Sequence, residues 1–327
     1  MITKNALILA PMAEISHIAF RMLLHKIGGC DYYFTEMISA KAFINRGKYE
    51  KYYINTLPEG SKVFLQLISG DKKALVKAAT ILAQTTDCHG IDINMGCTAP
   101  EITKQNGGIM WMKDITYTND LLKNLRKHVK NKLLSIKIRN GINDNYPHLY
   151  NFVKMAFDNG IDFITLHPRN KKDKMRRYAK WEFYERLKSD FPEKFIIGNG
   201  DITSYKTYAQ ILKQYSPDAI MIGRQAIIQP YFFDMIKKIK TANIKEYKVN
   251  LKEIIQTFII YLEQYLPEDF HLVRLKKFMY FFSQNFFWKH RLITEIQNSN
   301  SFSETKKKIQ LFFQDHPEEI YKIIKIM

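Results

Sequence analysis

Cys97 stands at a position from which a side chain could take part in catalysis or bind a metal. Cys97 closes the segment NMGC of residues 94–97, directly after an apolar, β-type run. A cysteine at the end of a strand can act as an acid, a nucleophile or a metal ligand, whereas most cysteines are small core residues. The sequence leaves these alternatives open for Cys97. Cys30 and Cys88 instead stand where strands begin, and we expect both in the core.

Basic residues end the next two apolar runs. Lys137 and Arg139 are two positions apart, and so are His167 and Arg169. Side chains alternate along a strand, so the members of each pair point to the same side. Because an inward lysine is costly unless it meets an anion, Lys137 is expected to contact a reacting group or a cofactor. For His167, a buried ring satisfied by backbone atoms is the competing interpretation.

Glycines end the last two apolar runs, in GNGD of residues 198–201 and in GR of residues 223–224. Where a residue has no Cβ, backbone N–H groups can approach a phosphate closely. The pattern therefore predicts a phosphate at these two ends, and it leaves the rest of the ligand open.

Eight short apolar runs, separated by longer amphipathic stretches, must position these side chains. Apolar strands with polar carboxyl ends are typical of a (β/α)8 barrel, whose active site lies at the C-terminal face. A doubly wound open sheet fits less well, because no G-x-G-x-x-G motif opens the first helix. The predicted strands are 6–13, 31–37, 63–67, 90–97, 133–139, 162–169, 195–201 and 219–224.

The pattern becomes helical after Thr241. Apolar residues repeat at helical spacing over 251–266, with Asn250 as the cap and Pro267 as the stop. A second helix is predicted over 271–286, a third after a capping box at Ser301, and a fourth with Pro317 in its first turn. We expect residues 1–242 to form the barrel domain and residues 243–327 a small, all-α domain.

The composition favours a polyanionic partner. The chain has 327 residues and a formal net charge of +18, which favours nucleic acid, although a lysine-rich proteome is an alternative. The three cysteines are too irregularly spaced for a disulfide framework or a metal knuckle, which indicates a reducing cytoplasm. The apolar stretch 6–10 is too short for a signal sequence, and no run reaches the about 18 apolar residues of a membrane span.

Taken in chain order, these motifs resemble the tRNA-dihydrouridine synthase family. The resemblance runs from the first strand to the eighth, and the helical segment is similar to the tRNA-binding domain of that family. The motifs that carry it are Ala10-Pro11-Met12-Ala13, Thr35-Glu36-Met37, Gln66-Leu67, Asn94-Met95-Gly96-Cys97, Lys137-Ile138-Arg139, His167-Pro168-Arg169, Tyr178 with Trp181, Gly198-Asn199-Gly200-Asp201 and Gly223-Arg224.

The resemblance implies a reaction in which FMN, reduced by NADPH or NADH, reduces a uracil ring in tRNA. Cys97 would donate a proton, Lys137 would stabilise negative charge, and Asn94 would hold the uracil edge. We also expect a monomer without a protein partner, and no metal site. The residues expected at FMN are Pro11, Met12, Ala13, Gln66, Lys137, His167, Asn199, Gly200, Asp201, Gly223 and Arg224.

Substrate RNA is expected to meet basic residues around the same face, because a base can be reduced only after it leaves the stack. Solvated charged faces are the alternative. The expected RNA contacts are Arg139, Arg169, Lys171, Lys172, Arg176, Arg177, Arg274 and Lys277.

The chain departs from the family pattern at Glu14, Thr98, the loop 170–174, Gln225 and Gln229. These departures concern loops near FMN and the choice of uridine. Two other functions stay open: a flavin barrel that acts on a small pyrimidine, which would not need the basic helical segment, and a tRNA-binding protein whose catalysis is residual.

Overall fold

A closed barrel of parallel strands dominates the computed structural model, which describes residues 2–173 and 177–326. The strands of its sheet are β1 (Ala6–Leu9), β2 (Tyr32–Phe34), β3 (Ile38–Ser39), β4 (Val63–Ile68), β5 (Gly90–Met95), β6 (Leu133–Arg139), β7 (Phe163–His167), β8 (Phe195–Asn199) and β9 (Ala219–Ile222). Their order is β2-β1-β9-β8-β7-β6-β5-β4-β3, and pairing of β2 with β4 closes the ring. The predicted (β/α)8 barrel is confirmed, with β3 as a short extension beside β4.

Helices connect the strands and cover the outside of the barrel. They are α1 (Ile18–Lys26), α2 (Ala40–Ile44), α3 (Glu50–Tyr53), α4 (Lys72–Thr85), α5 (Pro100–Thr103), α6 (Ile115–His128), α7 (Tyr146–Asp158), α8 (Trp181–Asp190), α9 (Tyr205–Tyr215), α10 (Arg224–Ile228) and α11 (Phe232–Ala242). Asp71, Asp114 and Asn145 each cap a helix by accepting a backbone N–H of its first turn.

The barrel interior changes from apolar to polar along the strands. Near the strand starts, the ring of Phe64 stacks on Phe34 at 4.7 Å and meets Phe163 edge-on at 5.3 Å between centroids. Two residues further along β4 and β7, the side chains are those of Gln66 and Thr165, both fully buried. Because the aromatic layer fills the interior near the strand starts, the polar side chains above it are directed to the C-terminal mouth.

The C-terminal region consists of β10 (Glu246–Asn250), α12 (Leu251–Tyr265), α13 (Glu268–Phe282), α14 (Lys289–Gln297), α15 (Phe302–Asp315) and β11 (Tyr321–Lys325). As predicted, Asn250 caps α12 by accepting the N–H of Glu253, and Ser301 caps α15 by accepting the N–H of Glu304. Helix α13 begins one residue after Pro267, earlier than predicted. The expected helical region is therefore present.

Two details of the all-α prediction are wrong. The fourth helix is a single 3₁₀ turn, Pro317–Glu319, and the chain then extends into β11. β11 pairs antiparallel with β10, in the register Glu246 with Lys325 and Asn250 with Tyr321. A local proline signal cannot report this pairing, because the two strands are far apart in sequence.

Aromatic side chains seat the helical region on the barrel. Phe258 of α12 stacks on Phe278 of α13 at 4.1 Å, and both rings meet Phe20 of α1. Asn285, just after α13, accepts a hydrogen bond from Tyr231 and donates one to the carbonyl of Ile228. The end of α13 therefore lies at the barrel mouth. Within the described residues, no helix has the length and apolarity to cross a bilayer.

Candidate active site

A cavity of about 460 Å³ opens at the C-terminal ends of the barrel strands. It gathers residues from strand ends that are far apart in the chain. The predicted site residues that line it are Pro11, Met12, Asn94, Cys97, Lys137, Arg139, His167, Arg169, Asn199, Gly200, Asp201, Gly223 and Arg224. Phe281, near the end of α13, and Gln284, in the turn that follows it, complete the wall. Sequence reasoning missed these two, because helical periodicity does not tell which exposed face meets another element.

Cys97 is half-buried in the loop after β5. Its backbone N–H donates to Asn94 Oδ1 at 2.8 Å, and its carbonyl lies so close to Gly108 that a Cβ there would be 2.4 Å from the oxygen. Gly108 also has φ +59°, which a residue without a Cβ adopts at little cost. Burial raises the pKa of the Cys97 thiol above its usual value. The side chain is therefore a thiol at neutral pH.

Lys137 lies beside Asn94 in the register of β5 and β6, and both line the cavity. Burial, and then the neighbouring charge of Arg139, lowers the pKa of Lys137 to about 8. The carboxylate of Asp92 opposes this shift. Lys137 therefore carries a positive charge at pH 7, held in a poorly solvated place where it attracts an anion strongly.

His167, Arg169 and Asp201 form a connected wall. Arg169 Nη1 donates to His167 Nε2 at 2.8 Å, and its Nη2 bonds both carboxylate oxygens of Asp201, at 2.6 and 2.9 Å. Burial lowers the pKa of His167 well below its usual value, and Lys137 and Arg139 lower it further. The imidazole is therefore neutral, with its proton on Nδ1, because Nε2 accepts from Arg169.

Arg169 and Arg274, both predicted to contact the substrate RNA, are buried. Arg169 is 2% exposed, and its guanidinium is held by His167 and Asp201. Arg274 is 5% exposed and lies between Glu36 and Glu14, at 3.5 and 4.0 Å. Both guanidinium groups are held by protein partners, and Arg169 also lines the cavity. Their contact with the substrate stays a prediction.

Other predicted residues lie outside the cavity lining. Ala13 is exposed beyond Met12, and Gln66 is fully buried beneath Asn94, to which it is hydrogen-bonded. Lys277 is half-exposed and lies 3.5 Å from Glu14. Lys172 and Arg177 are exposed, and Lys171 is partly exposed. Arg176, also predicted to contact RNA, falls outside the described residues.

Glu14 and Gln225, two departures from the family pattern, have structural partners. Glu14 adopts φ +65°, the left-handed conformation that suits the glycine expected at this position. Its N–H donates to Glu36 at 2.6 Å, and its carboxylate faces Arg274 and Lys277. Gln225 donates to Gln229 at 2.7 Å and lines the cavity.

Known proteins place this chain in a family. The family model described as Dihydrouridine synthase (Dus) matches residues 8–318. The chain is 29% identical over 236 residues to a "Probable tRNA-dihydrouridine synthase" of Helicobacter pylori, covering 72% of this chain and 70% of that protein. It is 25% identical over 324 residues to the "tRNA-dihydrouridine(16) synthase" of Neisseria meningitidis, covering 94% and 95%.

A solved structure of low sequence identity shows the fold alone. Histamine dehydrogenase from Rhizobium sp. 4-9 aligns with a TM-score of 0.55 at 12% identity, over 80% of this chain and 49% of that chain.

Among the described residues, no group of three or more metal-binding side chains could hold a metal ion. The family expected from the motifs is confirmed, and the chain belongs to the dihydrouridine synthase family.

Proposed function

We propose that this protein reduces the C5=C6 bond of a uridine in tRNA, with FMN as the cofactor and NADPH or NADH as the electron source. The observation that carries the proposal is that a protonated thiol, Cys97, and a charged lysine, Lys137, line one cavity at a barrel mouth. Family membership and the names of the relatives support the choice of substrate.

The cavity suits a phosphate-bearing cofactor. Gly200 has φ +140°, and a Cβ there would lie 2.8 Å from Ala179 and 3.2 Å from the ring of His167. Gly223 also leaves its side of the cavity free of a side chain, beside Met12. Arg224 is about half-exposed at the same rim. Bare backbone beside a guanidinium favours phosphate, so we assign the phosphate of FMN to this end.

Lys137 and Cys97 would then act on the substrate. When bound, FMN supplies the hydride that adds to C6 of the uracil. Lys137 stabilises the negative charge that develops as the ring is reduced, because its ammonium is poorly solvated. Cys97 gives its proton to C5, and the thiolate regains a proton from water. The neutral His167 offers a hydrogen bond without adding charge.

The exposed basic and aromatic residues near the mouth fit a nucleic acid. Lys172, Arg177 and Tyr178 follow β7, and Tyr178 is 86% exposed. Exposed cations attract phosphates, and an exposed ring can stack on an unpaired base. We propose that residues 243–327 bind tRNA together with this loop, and that the uridine turns out of the stack into the cavity.

Mapping dihydrouridine in total tRNA, from cells with and without this gene, tests the proposal. Loss of dihydrouridine at a defined position is the expected result. An unchanged map, together with reduction of free uracil or uridine by the purified protein, would favour a small-molecule reductase. An unchanged map with tRNA binding alone would favour a binding protein.

A further inference from the structure

A continuous hydrogen-bonded chain runs through the barrel beneath the cavity. Ser135 Oγ donates to Asp92 Oδ1 at 2.6 Å, and Gln66 Nε2 donates to Asp92 Oδ2 at 2.7 Å. Asn94 Nδ2 donates to Gln66 Oε1 at 2.9 Å, and Asn94 Oδ1 accepts the N–H of Cys97 at 2.8 Å. We call the path from Asp92 through Gln66 and Asn94 to Cys97 the Asp92 relay.

The two ends of the Asp92 relay fix its direction. Burial raises the pKa of Asp92 to about 6, so this carboxyl is ionised at pH 7. An ionised carboxylate only accepts hydrogen bonds, so Gln66 must turn its NH2 group towards Asp92. Its carbonyl oxygen then faces Asn94, which must present its own NH2 group. The carbonyl oxygen of Asn94 is thereby directed at the backbone N–H of Cys97, which only donates. Reversing either amide would set donor against donor or acceptor against acceptor.

The burial of the relay makes these orientations strict. Asp92, Gln66 and Ser135 are 0% exposed, and Asn94 is 7% exposed. At these buried positions an unpaired amide group cannot form a replacement hydrogen bond with water, so a wrong orientation destabilises the folded state. The side chain of Asn94 also accepts the N–H of Gly96 at 3.2 Å, so it holds two consecutive residues of the loop.

We propose that Asp92 is a positioning residue, whose carboxylate sets the direction of the relay through Gln66 and Asn94 and thereby holds the backbone of Cys97. That this positioning contributes to catalysis rests on the proposed function, in which Cys97 donates the proton. The positioning itself is a property of the folded chain and can be measured without any reaction.

Exchanging the amide and the carboxylate of the relay tests its direction. In Asn94→Asp, residue 94 still accepts the N–H of Cys97, but it sets oxygen against oxygen at Gln66. In Asp92→Asn alone, the new amide can keep the direction, with its carbonyl towards Gln66 and its NH2 group towards Ser135. In the double variant, Asn at 92 donates to Gln66 and Gln66 donates to Asp at 94, so the reversed chain is again fully paired.

Hydrogen–deuterium exchange of the backbone amides of residues 96 and 97, in the full chain as purified, measures directly how well their hydrogen bonds to residue 94 are kept. We expect exchange to be about fivefold faster in Asn94→Asp, because repulsion between the new carboxylate and Gln66 Oε1 displaces residue 94 from these amides, at about the cost of one net hydrogen bond. It should return to the wild-type rate in the double variant and stay there in Asp92→Asn. If Asn94→Asp does not fold, recovery of the folded state by the double variant, followed by circular dichroism, is the equivalent result.

An additive outcome would overturn the inference. If the double variant exchanges as fast as Asn94→Asp or faster, or does not recover the fold, the side chains act independently and Asp92 sets no direction. Dihydrouridine formation by the wild-type protein is measured separately. If that activity is absent while the exchange rates follow the expected pattern, the proposed function fails and the positioning role stands.

Discussion

Arg274 of α13 lies 3.5 Å from Glu36, at the end of the second barrel strand, and both side chains are buried. This contact joins the C-terminal region to the barrel rim. Phe281 and Gln284, which line the cavity, lie beyond Arg274 on the same helix and the turn that follows it. The ion pair therefore fixes where the helical region completes the cavity wall.

Removing Arg274 should destabilise the fold strongly. In Arg274→Met, Glu36 keeps a buried charge without its main partner, and the expected loss in free energy of unfolding is about 3–5 kcal/mol. Urea denaturation measures it. Arg291→Met is the matched control, because Arg291 pairs with Glu295 on the surface, where solvent screens the ion pair, and its removal should change the free energy of unfolding little. Equal losses in the two variants would contradict the structural role of Arg274.

Activity should fall as pH rises through the pKa of Lys137. Its folded-state pKa of about 8 lies below the ordinary value of 10.5, mainly because of burial. Lys137 is almost fully protonated below about pH 7 and loses its charge above pH 8. Stabilisation of the developing anion is lost with that charge. Lys137→Arg, which stays charged, should move this loss of kcat to higher pH. If kcat of the wild-type protein stays constant up to pH 10, the charge of Lys137 has no part in the mechanism.

The same pKa shift predicts a pH dependence of stability. Between about pH 8 and pH 10.5 the unfolded chain holds a proton at residue 137 that the folded chain has released. Folding stability attributable to this group therefore rises with pH across that window. Comparing wild type with Lys137→Met by urea denaturation at several pH values isolates it. The difference in unfolding free energy should favour the variant at pH 7 and shrink towards pH 10.5.

Arg224 should contribute to flavin affinity. If the phosphate of FMN lies at the Gly223 rim, Arg224→Ala removes a charge-assisted hydrogen bond, and the dissociation constant should rise at least about tenfold. Fluorescence titration of flavin-free protein measures it. Arg186→Ala is the control, because Arg186 packs over Tyr146 on the outside of the barrel. Equal affinities in Arg224→Ala and wild type would place the phosphate elsewhere.

Binding of tRNA should weaken steeply with salt. If about six phosphates are neutralised, the slope of log affinity against log salt should be about −4 to −5. Lys172→Ala should reduce the magnitude of the slope by about one if that side chain meets a phosphate. A slope near zero for the wild-type protein would make the basic surface incidental to its function.

Local signals predicted the barrel and most of the cavity. Strand alternation placed Lys137 and Arg139 on one side, and the strand ends around Cys97, His167 and Gly223 do meet. Cys30 and Cys88 are buried, as their positions at strand starts indicated. These features depend on neighbours within one β/α unit, and the parallel barrel brings equivalent positions together.

Features that depend on distant partners were not predictable. Arg274 looks like a surface cation, because its partners, Glu14 and Glu36, lie at the other end of the chain. Gln66, predicted to contact the cofactor, is hydrogen-bonded between Asp92 and Asn94, and its own sequence neighbourhood does not indicate these partners. In each case burial by another element, rather than local spacing, decides what the side chain touches.

The most direct test of the central claim compares wild type with Cys97→Ala on unmodified tRNA, with FMN and NADPH supplied and dihydrouridine measured by mass spectrometry. The account predicts that the variant binds flavin and tRNA as the wild type does, while its rate of dihydrouridine formation falls by about 10²–10⁴, the usual contribution of a positioned acid. A variant as fast as the wild type would contradict the assignment of Cys97 as the proton donor.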